Sequence, residues 1–356
     1  MTLRLASVSV DLDPLRCYYQ IHGLGVCPET FSDVILARAL PRFLEVFDRF
    51  GIRSTLFVVG SDALDGMAGR PLLRKAAQLS HELGNHSFSH PYALSRLSPQ
   101  DIESELAACE QVLDELRPSP SGPCGFRAPG YELSVPLLQS LLSAGYRYDS
   151  SVFPCPPYYL LKLSVLGLLA LRGQQSASIV GSPWQQLAPT QPYRPSPHNP
   201  NRSGDAKIVE LPVAVTPALR LPAIGTFLLL SNPLRRVLLR GMTRQPFFNL
   251  ELHGIDLIDA KLDGIPAELV AKQPDLQLPL CRKWQHLAKF CGFCKITPPL
   301  CRFLMPHSSL VRISRQRSFF REVACAAVQA ARQSPPRPLR AVPPKAKPRQ
   351  CRNRRT

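Results

Sequence analysis

Acidic residues all but vanish from the last part of this 356-residue chain: residues 281–356 hold 18 Lys and Arg but one acid, Glu322. The whole formal charge of +17 therefore sits there, because residues 1–280 balance 25 bases against 25 acids. A nucleic-acid footprint needs cations clustered on a folded face. The body has no such excess, so nucleic acid is not an expected partner. Long apolar runs are missing too. The longest, Tyr158–Leu171, is interrupted by Lys162 and falls short of the roughly 20 residues a spanning helix needs. A core helix or an interface helix is one reading of it, and a peripheral contact with a membrane surface is the other. Met1–Ser7 is too short for the charged and apolar parts of a signal peptide, so a soluble, cytoplasmic protein is expected. The 11 cysteines are odd in number and irregularly spaced, which implies no disulfide framework.

What is present alternates short β-rich runs with helical patterns, as in an α/β protein with mostly parallel strands. Strands are expected at Leu3–Val10, Thr55–Val59, Gly125–Tyr131, Tyr146–Ser151, Ile208–Val215 and Phe247–His253. Helical spacing marks Asp33–Phe50, Pro71–Leu83 (with Gly84 as its stop), Ser98–Leu116 and Ser134–Ala144. Residues 154–206 interrupt the rhythm with the apolar run and then a Pro-, Gln- and Ser-rich stretch that reads as a surface loop.

Four segments carry chemistry. Ser9-Val10-Asp11-Leu12-Asp13 closes the first strand, where side chains two apart share a face, so both carboxylates can point the same way. Alone, such a pair is usually surface decoration. Gly84-Asn85-His86-Ser87-Phe88-Ser89-His90 spaces two histidines by four residues, which on one side of a helical turn suits a divalent metal. With an Asp from another strand they make a two-His, one-carboxylate site for Zn²⁺, or for Fe²⁺, Co²⁺ or Ni²⁺. Gly125-Phe126-Arg127-Ala128-Pro129-Gly130-Tyr131, followed by Asp149, supplies an arginine able to hold a carboxylate ionised. His253 ends the apolar run Phe247–Leu252.

In order and spacing these segments resemble the five motifs of the polysaccharide deacetylase family, the NodB-homology domain of carbohydrate esterase family 4. The resemblance covers residues 3–260 and is most specific at His86/His90 and at Arg127–Tyr131. It implies a distorted TIM-like (β/α) barrel of about seven parallel strands with its site at the C-terminal strand ends. It also implies one divalent metal ion held by Asp13, His86 and His90, with zinc the first choice. Asp11 would be the base that deprotonates the attacking water. Arg127, with Asp149 behind it, would orient Asp11, and His253 would protonate the leaving amine. Gly130, Tyr131 and Leu252 would form the oxyanion and substrate pocket. Departures from the family pattern touch that pocket: Leu12 separates the two aspartates, the aromatic of Arg127-Ala128-Pro129-Gly130-Tyr131 is shifted by one place, Glu251 replaces an expected leucine, and Val152 an expected aromatic.

The implied activity is metal-dependent hydrolysis of an N-acetylated amino sugar in a glycan or glycan precursor. A non-sugar amide or cyclic ureide is the alternative substrate, and an inactive sugar-binding homologue the alternative of another class. The catalytic domain is expected over 1–286. The basic stretch 287–356 reads as a disordered extension or as translation out of frame. Cys291-x-x-Cys294 has zinc-ligand spacing but no second close pair beside it.

Overall fold

The computed structural model describes residues 5–119, 122–230, 235–242 and 244–293. Most of the expected extension, including Cys294 and Cys301, lies outside them. Nine strands are described: β1 (Leu5–Asp11), β2 (Thr55–Val58), β3 (Glu82–Asn85), β4 (Gly125–Phe126), β5 (Tyr148–Asp149), β6 (Pro195–Ser196), β7 (Asn199–Ser203), β8 (Val209–Glu210) and β9 (Phe247–His253). Seven form one sheet in the order β8-β5-β4-β3-β2-β1-β9, and every neighbouring pair in it is parallel. This is the expected barrel in its distorted form. The ladder is open between β8 and β9, yet the chain leaving β8 closes the gap: the Ala214 amide donates to the Asn249 carbonyl at 3.0 Å. Several strands are only two residues long, and close approach compensates. A Cβ on Gly125 would sit 1.9 Å from the Tyr148 ring, so only glycine lets β4 and β5 lie together there.

The interior of the barrel is polar. Ser9 and Ser7 hydroxyls donate to the Asn249 side-chain oxygen at 3.3 and 3.1 Å, and the Asn249 amide donates to Ser150 Oγ at 2.9 Å. Ser150 Oγ passes its own proton to the Leu211 carbonyl at 2.8 Å. Every hydroxyl in this axial network thus has a defined donor direction, which buried polar groups require.

The helices are α1 (Leu15–His22), α2 (Leu40–Phe50), α3 (Arg70–Gln78), α4 (Pro99–Leu116), α5 (Val135–Ser143), α6 (Pro156–Leu171), α7 (Gly225–Leu230), α8 (Arg235–Met242), α9 (Ala267–Lys272) and α10 (Leu280–Phe293). α4 begins where Ser98 caps it, its hydroxyl accepting from the Asp101 amide at 3.2 Å, as its N-cap chemistry predicts. A π-helical turn at Ile35–Ala39 precedes α2, where Pro41 has no N–H for regular bonding.

Four expectations change. The helix expected to run to Leu83 stops at Gln78, and Leu83 and Gly84 belong to β3 instead. Leu83 packs inside the sheet, and Ser80 takes the left-handed turn (φ 66°) that separates the two elements. The Pro-rich stretch forms the β6–β7 hairpin rather than an open loop. The apolar run is a helix, α6, but none of its residues is buried, so it is not a core helix. Finally, α10 runs through the expected boundary at 286: Lys283, Trp284 and Leu287 are all buried. Among the described residues no helix is long and apolar enough to cross a membrane.

Candidate active site

The C-terminal strand ends share one rim, and the sequence-predicted residues other than Asp149 and Leu252 meet there. β1 delivers Asp11 and, two residues on, Asp13. His86 follows β3, its amide donating to the Val58 carbonyl at 3.0 Å. The two histidines are not on a helix. They flank a loop in which Ser87 and His90 adopt φ of 62° and 61°, conformations that cost a non-glycine residue energy. Glu105 of α4 clamps this loop, accepting from the Phe88 and Ser89 amides at 2.9 and 2.8 Å and from Ser89 Oγ at 2.6 Å. The Ser87 hydroxyl accepts from the His90 amide at 3.1 Å.

The loop turns both imidazoles toward Asp13. His86 Nε2 and His90 Nε2 lie 3.1 and 3.3 Å from Asp13 Oδ1. His86 Nδ1 donates to the Arg127 carbonyl at 2.7 Å, which fixes the tautomer and leaves the Nε2 lone pair facing Asp13. His90 Nδ1 lies 3.3 Å from Cys17 Sγ, a contact from α1 with no counterpart in the sequence reading. Despite its close neighbours, Asp13 Oδ1 is buried without a well-formed hydrogen bond. Three electron-pair donors converging on one point is the arrangement a divalent cation satisfies, and all three can bind one ion together.

Beside this triad, Arg127 Nη1 donates to Asp11 at 2.5 Å. The rest of the guanidinium is held by Ser9 Oγ at 3.0 Å, Ser150 Oγ at 2.8 Å and the Ser150 carbonyl at 3.0 Å. It also stacks 4.3 Å from the centre of the Phe57 ring. Burial would raise the Asp11 carboxyl, but the Arg127 charge, joined by those of His86 and His253, overrides it and the net shift is downward. Asp11 is therefore ionised at neutral pH.

Asp149 does not stand behind Arg127. Its carboxylate accepts from the Ser151 hydroxyl at 2.7 Å and amide at 3.2 Å, and burial together with neighbouring Glu210 keeps a proton on that acid pair. Ser150, the adjacent residue, points the other way and holds the arginine, as strand alternation dictates. The same alternation removes Leu252 from the pocket: it packs against α7, where a Cβ on Gly225 would meet its Cδ2 at 2.8 Å. Glu251 and His253 take the inner face.

There Tyr131 bridges them. Its hydroxyl donates to Glu251 Oε1 at 2.5 Å and lies 2.9 Å from His253 Nε2. Since the hydroxyl proton goes to Glu251, the second bond runs from His253 Nε2–H to the Tyr131 oxygen. Burial would lower His253, but Glu251 and Asp11 raise it to about 9. Burial and the Asp11 charge push Glu251 up to about 8. Both shifts keep protons in this cluster at neutral pH. Glu251 was visible in the sequence as the unexpected residue two before His253, on the same face of β9. The Tyr131 amide already donates to the Ala128 carbonyl at 3.2 Å, a turn bond it would have to share to serve as an oxyanion donor. Phe153, next to the unexpected Val152, supplies an aromatic wall 5.4 Å from the Tyr131 ring.

Residues 29–148 match the polysaccharide deacetylase family. That span includes His86, His90, Arg127, Gly130 and Tyr131. Asp11, Asp13 and His253 lie outside it, and the barrel brings them in. A peptidoglycan deacetylase of Helicobacter pylori is 25% identical over 160 residues, 44% of this chain and 53% of that protein. A chitooligosaccharide deacetylase of Bradyrhizobium is 29% identical over 116 residues, covering 30% and 51%. The chain thus spans about half the length of these curated relatives. The fold matches the crystal structure of a provisionally designated polysaccharide deacetylase from Mycobacterium smegmatis, with a TM-score of 0.53 at 16% identity, covering 88% of this chain and 96% of that one. The motif-bearing segment 29–148 thus matches the polysaccharide deacetylase family, and the barrel around it matches a solved fold.

Proposed function

We propose that this protein hydrolyses the amide of an N-acetylated amino sugar, releasing acetate and the free amine. The observation that carries the reading is the meeting, on one barrel rim, of an ionised Asp11, the Asp13–His86–His90 triad and a protonated His253. Asp13, His86 and His90 would hold a divalent ion, which when bound polarises the amide carbonyl and makes water more acidic. Asp11, kept charged by Arg127, accepts the proton of the attacking water. His253 gives its proton to the leaving nitrogen, because an amine anion is too poor a leaving group to depart alone. Tyr131 orients that imidazole and, with Phe153, offers an apolar wall against which an acetyl methyl can rest.

The test is metal content of the purified full chain together with acetate release from a panel of N-acetyl-glucosamine oligomers. About one equivalent of metal, lost in His86→Ala along with acetate release, is the expected result. Bound metal with no acetate from any sugar would move the substrate to a non-sugar amide. A folded protein that takes up no divalent ion would overturn the hydrolase reading.

A further inference from the structure

α6 places its apolar side chains on the outside. Leu160, Leu161, Val165, Leu168 and Leu171 are 59%, 63%, 48%, 47% and 87% exposed. At 100° per residue they fall on one arc about 140° wide along a helix about 24 Å long, with Leu163, 47% exposed, lying outside that arc. Ser164, the one polar residue on that arc, turns its hydroxyl back onto the Leu160 carbonyl at 2.9 Å and so presents no free donor. The 3₁₀ turn Pro183–Leu187 packs beside α6 and adds Trp184 and Leu187, 64% and 72% exposed. Scattered exposed leucines need no explanation, but a contiguous apolar face of this kind marks a contact surface.

Charge decides among occupants. Residues 150–204 contain no Asp or Glu and four bases, Lys162, Arg172, Arg194 and Arg202. Arg172 is exposed and ends α6 on its apolar side. The nearby acid Glu132 is buried, tied to Ser95 at 2.6 Å and to the Ser182 amide at 2.9 Å. A second copy docked on this face by two-fold symmetry would bring like charges together with no carboxylate in the segment to offset them. An anionic lipid surface supplies the missing negative charge, accepts the leucines, and suits a tryptophan at its boundary.

α6 is also continuous with the active site. Its first turn carries Tyr158, 6.4 Å from the Tyr131 ring and 5.1 Å from Phe153. The chain returning from it passes Gly130, where a Cβ would stand 3.9 Å from Ile179.

We propose that α6 and Trp184 dock this protein on an anionic membrane surface, so that the rim faces the headgroups and the N-acetyl sugar it takes is one carried by a lipid. The substrate half rests on the hydrolase reading above; the docking half does not. The test is co-sedimentation of the full chain with vesicles of phosphatidylcholine alone or with about one-third phosphatidylglycerol, beside the variant Leu161→Glu/Leu168→Glu. The protein is expected to sediment with the anionic vesicles, and the variant to lose more than about tenfold in apparent affinity. The variant should hydrolyse a soluble N-acetyl sugar as the parent does and turn over a vesicle-borne N-acetyl-glucosamine lipid far more slowly. Protein left in the supernatant with both vesicle types would overturn the proposal. So would a dimer, seen by light scattering, that the same two substitutions dissolve. Vesicle binding with no acetate from any sugar, soluble or lipid-borne, would overturn the substrate half and move the hydrolase reading to a non-sugar amide, while supporting docking.

Discussion

At the scale of single residues, the least expected group is Glu251. Where the family pattern led us to expect leucine, a fully buried carboxylate stands 3.8 Å from Arg127 and 3.7 Å from His253, and Tyr131 links it to the imidazole. In Tyr131→Phe the imidazole loses its acceptor. We expect kcat to fall about tenfold, near 1.4 kcal/mol of transition-state stabilisation, with KM and the melting temperature little changed. An equal rise in KM would instead give Tyr131 a binding role. The chemistry-bearing side chains were legible in the sequence because their motifs state residue type and order. What the sequence could not state was direction. Whether Asp149 or Ser150 reaches the arginine, and whether Glu251 or Leu252 lines the pocket, depends on a strand register one residue either way.

At the scale of elements, helix α4 does more than cover the sheet. Through Glu105 it holds the strained loop between His86 and His90. Glu105→Ala frees three donors, and we expect divalent-metal affinity to drop roughly 10–100-fold, measured by competition with a chelator, while α4 stays folded. Sequence periodicity found α4, α5 and β9 because each is long enough to show its repeat. It missed β3 because a four-residue strand directly after a helix has no room for alternation, and Leu83 then reads as one more turn of α3. That junction carries a pH dependence. The His81 ring nitrogen Nδ1 accepts from the Ser54 amide at 3.1 Å, so the folded state needs the neutral ring. Burial, helped by the Arg53 charge, lowers its pKa to about 4. The unfolded chain takes up this proton near pH 6.5 and the fold does not. Stability is therefore full above that pH and declines as pH falls toward 4, by about 3 kcal/mol. Urea unfolding at pH 7 and at pH 4.5 checks this, and His81→Gln should flatten the slope.

At the scale of the whole molecule, the site depends on segments at both ends of the described chain. α10 reaches the active-site rim through Lys283, whose ammonium is buried and donates to the Ile258 carbonyl at 2.7 Å. Asp256, Asp259 and Asp275 surround it electrostatically, and Asp256 in turn accepts from the His253 amide at 2.8 Å. Lys283→Met would leave these acids without their cation. A loss of about 3–5 kcal/mol in unfolding free energy is expected, read by chemical denaturation. The basic composition just beyond 280 concealed this helix from sequence reading, because charge and cysteine content changed while the apolar positions Trp284 and Leu287 still pointed inward.

The pairing of β1 with β9 also has a consequence for how the chain is made. Asp11 lies opposite His253 in that ladder, so β1 leaves the ribosome well over two hundred residues ahead of this partner. At about 5–20 residues per second, β1 exposes one bare edge for roughly 10–50 seconds before its partner emerges. During that interval the nascent chain offers an unpaired parallel edge to any other strand nearby. Its yield in cells should then depend on what shields that edge during synthesis as much as on the stability of the finished barrel.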